Sequence, residues 1–324
     1  MKLVKLVAEA VEVEVDVRED MRSSREGFCE TWPEEKNLAG EYNIPKSLQC
    51  DFGKLFDYLG AFATDERNAR FHSVVGARTR AIVPVFENTH HNHNISAILR
   101  SADALGLQEA YFCYSDKGMH FRLKDSVERG SSTWLSVRRA VSVEECARYL
   151  RASGHAIALV SLPSFERTAS HYQAQLPSFA AQEIGGVAFE AARAHRKVAL
   201  VFGNELKGVS EEWNEHADMY VHIDMHGFVE SLNVSVCAGI LIHTLRRALE
   251  ANNSAVLARG EADRFCLAPH ERALLLEHWI ARSVIRAPEL VQAGRPDLWP
   301  YFDFVRKGLF FDPFGNLPNR RDRL

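Results

Sequence analysis

Five short apolar runs, separated by stretches of helical spacing, constrain this chain more than any other feature. They are AIVPVFE (81–87), EAYFCY (109–114), AIALVSL (156–162), VALVFG (198–203) and MYVHID (219–224). Each is short for a helix and too continuously apolar for a strand with one wet face, so each reads as a strand buried on both sides. Helical patterns accompany them at 95–105, 142–152, 183–194 and 210–216. This alternation predicts an α/β fold, a parallel sheet with helices on both faces. Pro84 is expected to bend the first run or to mark a sheet edge.

The flanks read differently. AVEVEVDV (10–17) alternates apolar and acidic residues like a half-exposed strand, and 18–50 is polar and irregular. A helical pattern covers 54–78, helices follow at 231–250 and 268–285, and the chain ends in an aromatic, Pro-rich tail. The expected organisation is an acidic N-terminal extension (1–53), a core with its N-terminal helix (54–250) and a C-terminal helical and aromatic extension (251–324).

With 324 residues, 46% apolar and 25% charged, the chain has ample material for a core. Its net charge of −4 argues against a nucleic-acid partner only until the charge is divided. Residues 1–60 hold eight basic and thirteen acidic side chains, leaving 31 against 30 for the rest. Short basic clusters stand at Arg67, Arg70, Arg78 and Arg80, and at Arg320, Arg321 and Arg323. They permit phosphate contact, although solvated faces carry such clusters too. The six cysteines are scattered without a C-x-x-C pair, which indicates neither a disulfide framework nor zinc. No leader pattern and no membrane-length apolar run is evident, so a cytoplasmic protein is expected.

Three stretches carry candidate chemistry. In HNHNISAILRSADALGL (91–107), Asn94 stands where an N-cap belongs, Ile95, Ile98, Leu99, Ala102 and Leu105 form a buried stripe, and Gly106 ends the helix. Ser96, Arg100 and Asp103 share the opposite face. His90, His91 and His93 lack partners at metal-ligand spacing, so no metal is expected. In VALVFGNELKGVSEE, a strand enters a glycine-bounded loop and then a helix capped by Ser210. The spacing of Gly203 and Gly208 nearly spells a nucleotide loop, but Val209 stands where the phosphate-binding Lys belongs. What survives is an exposed backbone turn at a strand's carboxyl end, with Glu205 projecting from it. In HIDMHGFVESLNVSVCAGILIHTLRR, a helix starts at Ser231 or its neighbours with residues that prefer caps and strands. Its seam is Val234, Cys237/Ala238, Leu241, Leu245 and Ala248.

These stretches, in this order, resemble the SpoU/TrmH-type RNA 2'-O-methyltransferases of the SPOUT superfamily over roughly residues 65–250. HNISAILRSADALG, FGNELKGVS and SLNVSVCAGILI carry the likeness, and the lead-in ERNARFHSVVGARTRAIVPVFENTHHNHN is most similar to the tRNA (guanosine 18) branch. The resemblance implies a deep trefoil knot in the C-terminal part of the sheet domain, S-adenosylmethionine among the knot loops, an RNA substrate, and a homodimer that completes the site. It implies cofactor contacts from Gly203, Ile223 and Leu232, with Met225, Gly227 and Ser231 nearby and Ser161 as a further candidate. Asn94, Arg100, Glu205 and Asn233 match the polar catalytic motif positions. Arg100 reads better as a phosphate clamp than as a base, because a guanidinium resists deprotonation. Asp224 departs from the family's Ile-Pro-Met. Three alternatives to guanosine 18 remain open: another tRNA position, ribosomal RNA, or a non-catalytic knotted RNA-binding protein.

Overall fold

A computed structural model describes residues 53–89, 91–114, 134–161, 176–183, 185, 197–205, 207–258 and 265–307. The strand expected at 10–17, most of the helix expected at 183–194, His90 and the terminal arginines lie outside the described residues. The chain divides into two compact units, one helical (53–77 with 267–307) and one α/β (78–266).

The α/β unit is built on a parallel sheet of seven strands: β1 (Ile82–Glu87), β2 (Glu109–Cys113), β3 (Ser136–Ala140), β4 (His155–Val160), β5 (Ser178–Ala180), β6 (Lys197–Phe202) and β7 (Met219–His222). Their order is β3-β2-β1-β6-β4-β7-β5. The five apolar runs are the five interior strands. Both strands that the pattern did not reveal, SVRRA in β3 and SFA in β5, are the sheet's edges. An edge strand needs less apolar surface, and a charged side chain such as Arg138 on β3 discourages further pairing.

Pro84 does not mark an edge. β1 is central and pairs with β6 in register from Ile82↔Val198 to Phe86↔Phe202. Its ladder with β2 begins only at Val85↔Tyr111, so the missing N–H falls just before that ladder starts.

Among the described residues, three α-helices cover this sheet: α1 (Asn92–Ala104), α2 (Val143–Ala152) and α3 (Val234–Ala258). Ile95, Ile98, Leu99 and Ala102 of α1 and Ala238, Leu241, Ile242 and Leu245 of α3 are wholly buried in one cluster with Phe86, Phe112 and Phe202. Each such large side chain contributes roughly 1.5–3 kcal/mol. Gly106, at φ 73°, ends α1 as expected. Two other expectations for α1 are corrected. The N-cap position is His91, which places Asn94 inside the first turn. Ser96 is buried rather than part of a polar face. The pattern at 210–216 gives only a 3-10 turn, Glu211–Glu215, and the Ser210 side chain makes no cap bond.

The helical unit contains α4 (Lys54–Gly60), α5 (Asp65–Gly76), α6 (Pro269–Ser283), α7 (Ala287–Gly294), a 3-10 turn (Pro296–Leu298) and α8 (Trp299–Lys307). Residues 273–281 of α6 are all buried, which identifies it as the central helix of the bundle. The part of the Pro-rich tail that is described proves helical, because Pro269, Pro288, Pro296 and Pro300 stand in first turns, where a missing N–H has no intrahelical partner to lose.

Candidate functional site

Because all seven strands run parallel, their carboxyl ends share one edge of the sheet, where open α/β folds bind ligands. β6, β4 and β7 are neighbours, so Gly203, Ser161 and Ile223, which follow them, leave the sheet side by side. The Ser161 N–H donates to the Val221 carbonyl at 3.0 Å, extending the β4–β7 ladder into the loops.

The loop after β6 closes on itself. Asn204 and Gly208 exchange N–H···O bonds of 3.0 and 2.8 Å. A Cβ on Gly203 would lie 2.1 Å from the Gly208 carbonyl carbon and the Val209 nitrogen, so only glycine permits this backbone contact. Asn204 Nδ2 donates to the Asn88 carbonyl at 2.8 Å, and the Ser210 N–H donates to Glu87 Oε2 at 2.8 Å. Burial pushes the Glu87 carboxyl up, against the pull of its Ser210 bonds.

Glu205 projects from this loop into solvent on one side and accepts from Asn94 Nδ2 at 2.9 Å on the other. Asn94 Oδ1 in turn accepts from Asn233 Nδ2 at 3.2 Å. The buried Asn94 amide thus uses its donor toward one motif and its acceptor toward the other. Residues separated by 111 and 139 positions become one hydrogen-bonded chain, Glu205–Asn94–Asn233.

Asn233 also governs the start of α3. Its Oδ1 accepts from the Ser235 N–H (2.9 Å) and Oγ (2.6 Å), and its carbonyl accepts from Val236 and Cys237. The helix begins at Val234 rather than Ser231. A side-chain cap therefore offsets the poor propensity of this opening turn.

Arg100 is exposed. Six residues along α1 from Asn94, it is about 9 Å further on and about 120° round the helix. Two other arginines hold the far end of this helix. Buried Arg78 pairs with Asp103 and donates to the Leu107 carbonyl at 2.6 Å, and Arg246 donates to the Leu105 carbonyl. These cations satisfy and complement the helix's carboxyl end. Arg80 is likewise buried, 3.5 Å from Glu109. Half of the basic cluster read from the sequence is therefore internal, and Arg67 and Arg70 are exposed.

In the turn after β7, Ile223 packs partly against the core, Met225 and Leu232 are half-buried, and Gly227 and Ser231 are exposed. Asp224 Oδ1 lies 3.4 Å from His222 Nε2, and His222 Nδ1 lies 3.3 Å from Ser178 Oγ. Glu87, Asn88, Asn204 and His222 are the site-edge residues that the sequence reading passed over. Position at a strand's carboxyl end was the one available signal for Glu87 and His222. His91 and His93 are exposed, and among the described residues no three His, Cys, Asp or Glu side chains group as metal ligands. No described helix is long and apolar enough to cross a membrane.

Comparison with known proteins gives this edge a context. The chain is 29% identical over 206 residues to a tRNA (guanosine(18)-2'-O)-methyltransferase of Borreliella burgdorferi, covering 64% of this chain and 84% of that relative. A Thermus thermophilus protein of the same description is 29% identical over 219 residues, covering 68% and 98%. The crystal structure of the A. aeolicus TrmH/SpoU tRNA modifying enzyme superposes with a TM-score of 0.52 at 25% identity, covering 68% of this chain and 98% of that one. The family model described as SpoU rRNA Methylase matches residues 81–243, half of the sequence and the span that carries the whole Glu205–Asn94–Asn233 chain. This protein belongs to the SpoU methylase family.

Proposed function

We propose that the chain transfers a methyl group from S-adenosylmethionine to a ribose 2'-hydroxyl of tRNA, at guanosine 18 of the D-loop. The observation that carries this reading is the hydrogen-bonded chain Glu205–Asn94–Asn233, which draws three sequence motifs to the carboxyl edge of the sheet. The names of the tRNA methyltransferase relatives support the substrate.

The residues present fit the methyl donor. Gly203, Ile223 and Leu232 stand on loops rich in backbone donors and acceptors, and the glycine-only contact at Gly203 keeps that turn compact. Met225, Gly227, Ser231 and Ser161 border the same edge. Bound S-adenosylmethionine supplies a methyl group on a positively charged sulfur. The protein's task is then to hold a hydroxyl in line and to give its proton a destination, and positioning of this kind is worth effective molarities of about 10⁵ M or more. Arg100 clamps the phosphate beside the target ribose with its planar fork of donors. Asn94 and Glu205 fix the helix that carries Arg100 against the loop, and Asn233 holds the turn that enters α3. The hydroxyl proton leaves to phosphate or water.

Two architectural features belong to this proposal. β6 and β7 each enter the sheet between strands laid down earlier, an order that accords with the trefoil-knotted path the resemblance implies. Phe228, Val229, Val236 and Ile240 expose apolar surface beside the site, which a second copy of the chain would cover in a homodimer. The site of action is the cytoplasm.

The test is transfer of labelled methyl to unmodified tRNA and to ribosomal RNA fragments, followed by mapping of the 2'-O-methyl nucleotide. Label at guanosine 18 is expected. Label confined to ribosomal RNA moves the substrate, and no S-adenosylmethionine binding at all sinks the enzyme reading.

A further inference from the structure

Glu87 is 2% exposed at the last position of β1, and no role above uses it. Burying a carboxylate is costly, and one that is retained must hold something in return. What it holds is the exit of the loop after β6, through the Ser210 N–H at 2.8 Å. The next residue, Asn88, takes a left-handed conformation (φ 44°), and its carbonyl accepts from Asn204 Nδ2 at the loop's entrance. The last residue of β1 and the residue after it therefore grip both ends of one loop. The grip continues the β1–β6 ladder, whose last register pair is Phe86↔Phe202, past the ends of the strands. Between the two grips stand the Asn204–Gly208 bridge and Glu205, which reaches Asn94.

We propose that Glu87, through the Ser210 N–H, is a positioning residue for the Gly203–Ser210 loop, setting Glu205 against Asn94 and the Gly203 backbone at the methyl-donor site. The second half of this statement rests on the functional reading above. The first half concerns the loop alone.

Three variants of the full chain test it. Glu87→Ala removes the acceptor, and Glu87→Gln keeps an acceptor oxygen of the same reach. Ser210→Pro removes the donor at a residue whose φ of −69° already suits proline. Amide hydrogen exchange reads the loop without any ligand, calorimetry with S-adenosylmethionine reads the site, and thermal unfolding reads the fold. Glu87→Ala and Ser210→Pro are each expected to speed exchange across residues 203–210 by about tenfold or more and to weaken S-adenosylmethionine binding about tenfold. The double variant should be no worse than either single one, because both remove the same bond. Glu87→Gln should stay near the parent in both readouts. The positioning role is overturned by Glu87→Gln falling as far as Glu87→Ala, by unchanged exchange in Ser210→Pro, or by additive effects in the double variant. Faster loop exchange with unchanged ligand affinity overturns the link to the methyl-donor site and leaves the clamp standing. A parent protein that binds no S-adenosylmethionine overturns the functional reading instead, with the exchange data still deciding the clamp.

Discussion

Glu277 in the helical unit and Glu87 in the α/β unit are both buried carboxylates that accept backbone N–H bonds, from Leu55 at 3.3 Å and from Ser210 at 2.8 Å. Their surroundings differ. Glu277 is enclosed in the bundle, accepts also from the Tyr301 hydroxyl, and caps the first turn of α4. Its bonds end in packed helices. The bonds of Glu87 end in a loop that opens to solvent and carries Glu205. The same device therefore stabilises a fold in one unit and, on the proposed function, positions a loop of the reactive edge in the other. Substitutions should divide accordingly, into those read as stability and those read as activity at constant stability.

The largest effect is expected at the edge. Gly203→Ala puts a Cβ where only 2.1 Å separates it from loop backbone, so the loop must open. A displacement of about 1 Å is enough to cost roughly 10²-fold in rate, and methyl transfer should fall at least that far while the melting temperature of the protein changes little. Full activity in this variant would break the assignment of the loop to the site. Arg100→Lys should come next. Losing the bidentate fork should reduce transfer by about tenfold to a hundredfold, with S-adenosylmethionine binding intact by calorimetry. Equal loss of both would return Arg100 to a structural role.

The helical unit supplies the opposite case. Burial lifts the Glu277 carboxyl to about 8, so it stays protonated in the folded state well above its ordinary 4.5. Its contribution is complete below 4.5 and is lost as pH rises to about 8. Burial holds the neighbouring His278, and His72, below 6.5, so their contributions are already complete above that value. Between pH 6.5 and 8, stability should therefore fall by about 2 kcal/mol through Glu277. Glu277→Gln should flatten that slope in thermal unfolding at the two pH values, with the rate of methyl transfer per folded molecule unchanged. A slope that survives the substitution belongs to another group.

What the sequence made legible follows the same division. Interior strands were readable because burial on both sides forces continuous apolar runs. The edges β3 and β5 were not, since a strand with one covered side can be SVRRA or three residues long. Asn94 at a helix start and Glu205 on a turn after a strand stood out locally, and Asn233 stood out through the likeness of its motif to the family's. Their hydrogen bonds, across 111 and 139 positions, could not be read from any local window. Arg78 and Arg80 read as surface charge, solvated or open to phosphate, because charge does not announce burial, whereas in the fold each is buried with an acidic partner. The Pro-rich tail after Ser283 includes helices because Pro288, Pro296 and Pro300 stand in first turns, positions compatible with helix starts.

The smallest effect should come from His222 and Asp224, and it sharpens the contrast with Glu87. Alternate residues of an extended segment point to the same side, so His222 and Asp224 bracket Ile223 while Ile223 itself turns toward the core. Ser178 on the edge strand β5 anchors the other imidazole nitrogen. Asp224 stands where the resembling family carries a proline, and its side-chain contact with His222 across one residue can restrict the turn in a comparable way. Both partners are partly exposed, however, at 18% and 35%, and such pairs contribute about 0–1 kcal/mol. His222→Ala should weaken S-adenosylmethionine binding severalfold at most, read by calorimetry. A loss as large as that in Glu87→Ala would mean that the exposed pair, and not the buried clamp, governs this edge of the sheet.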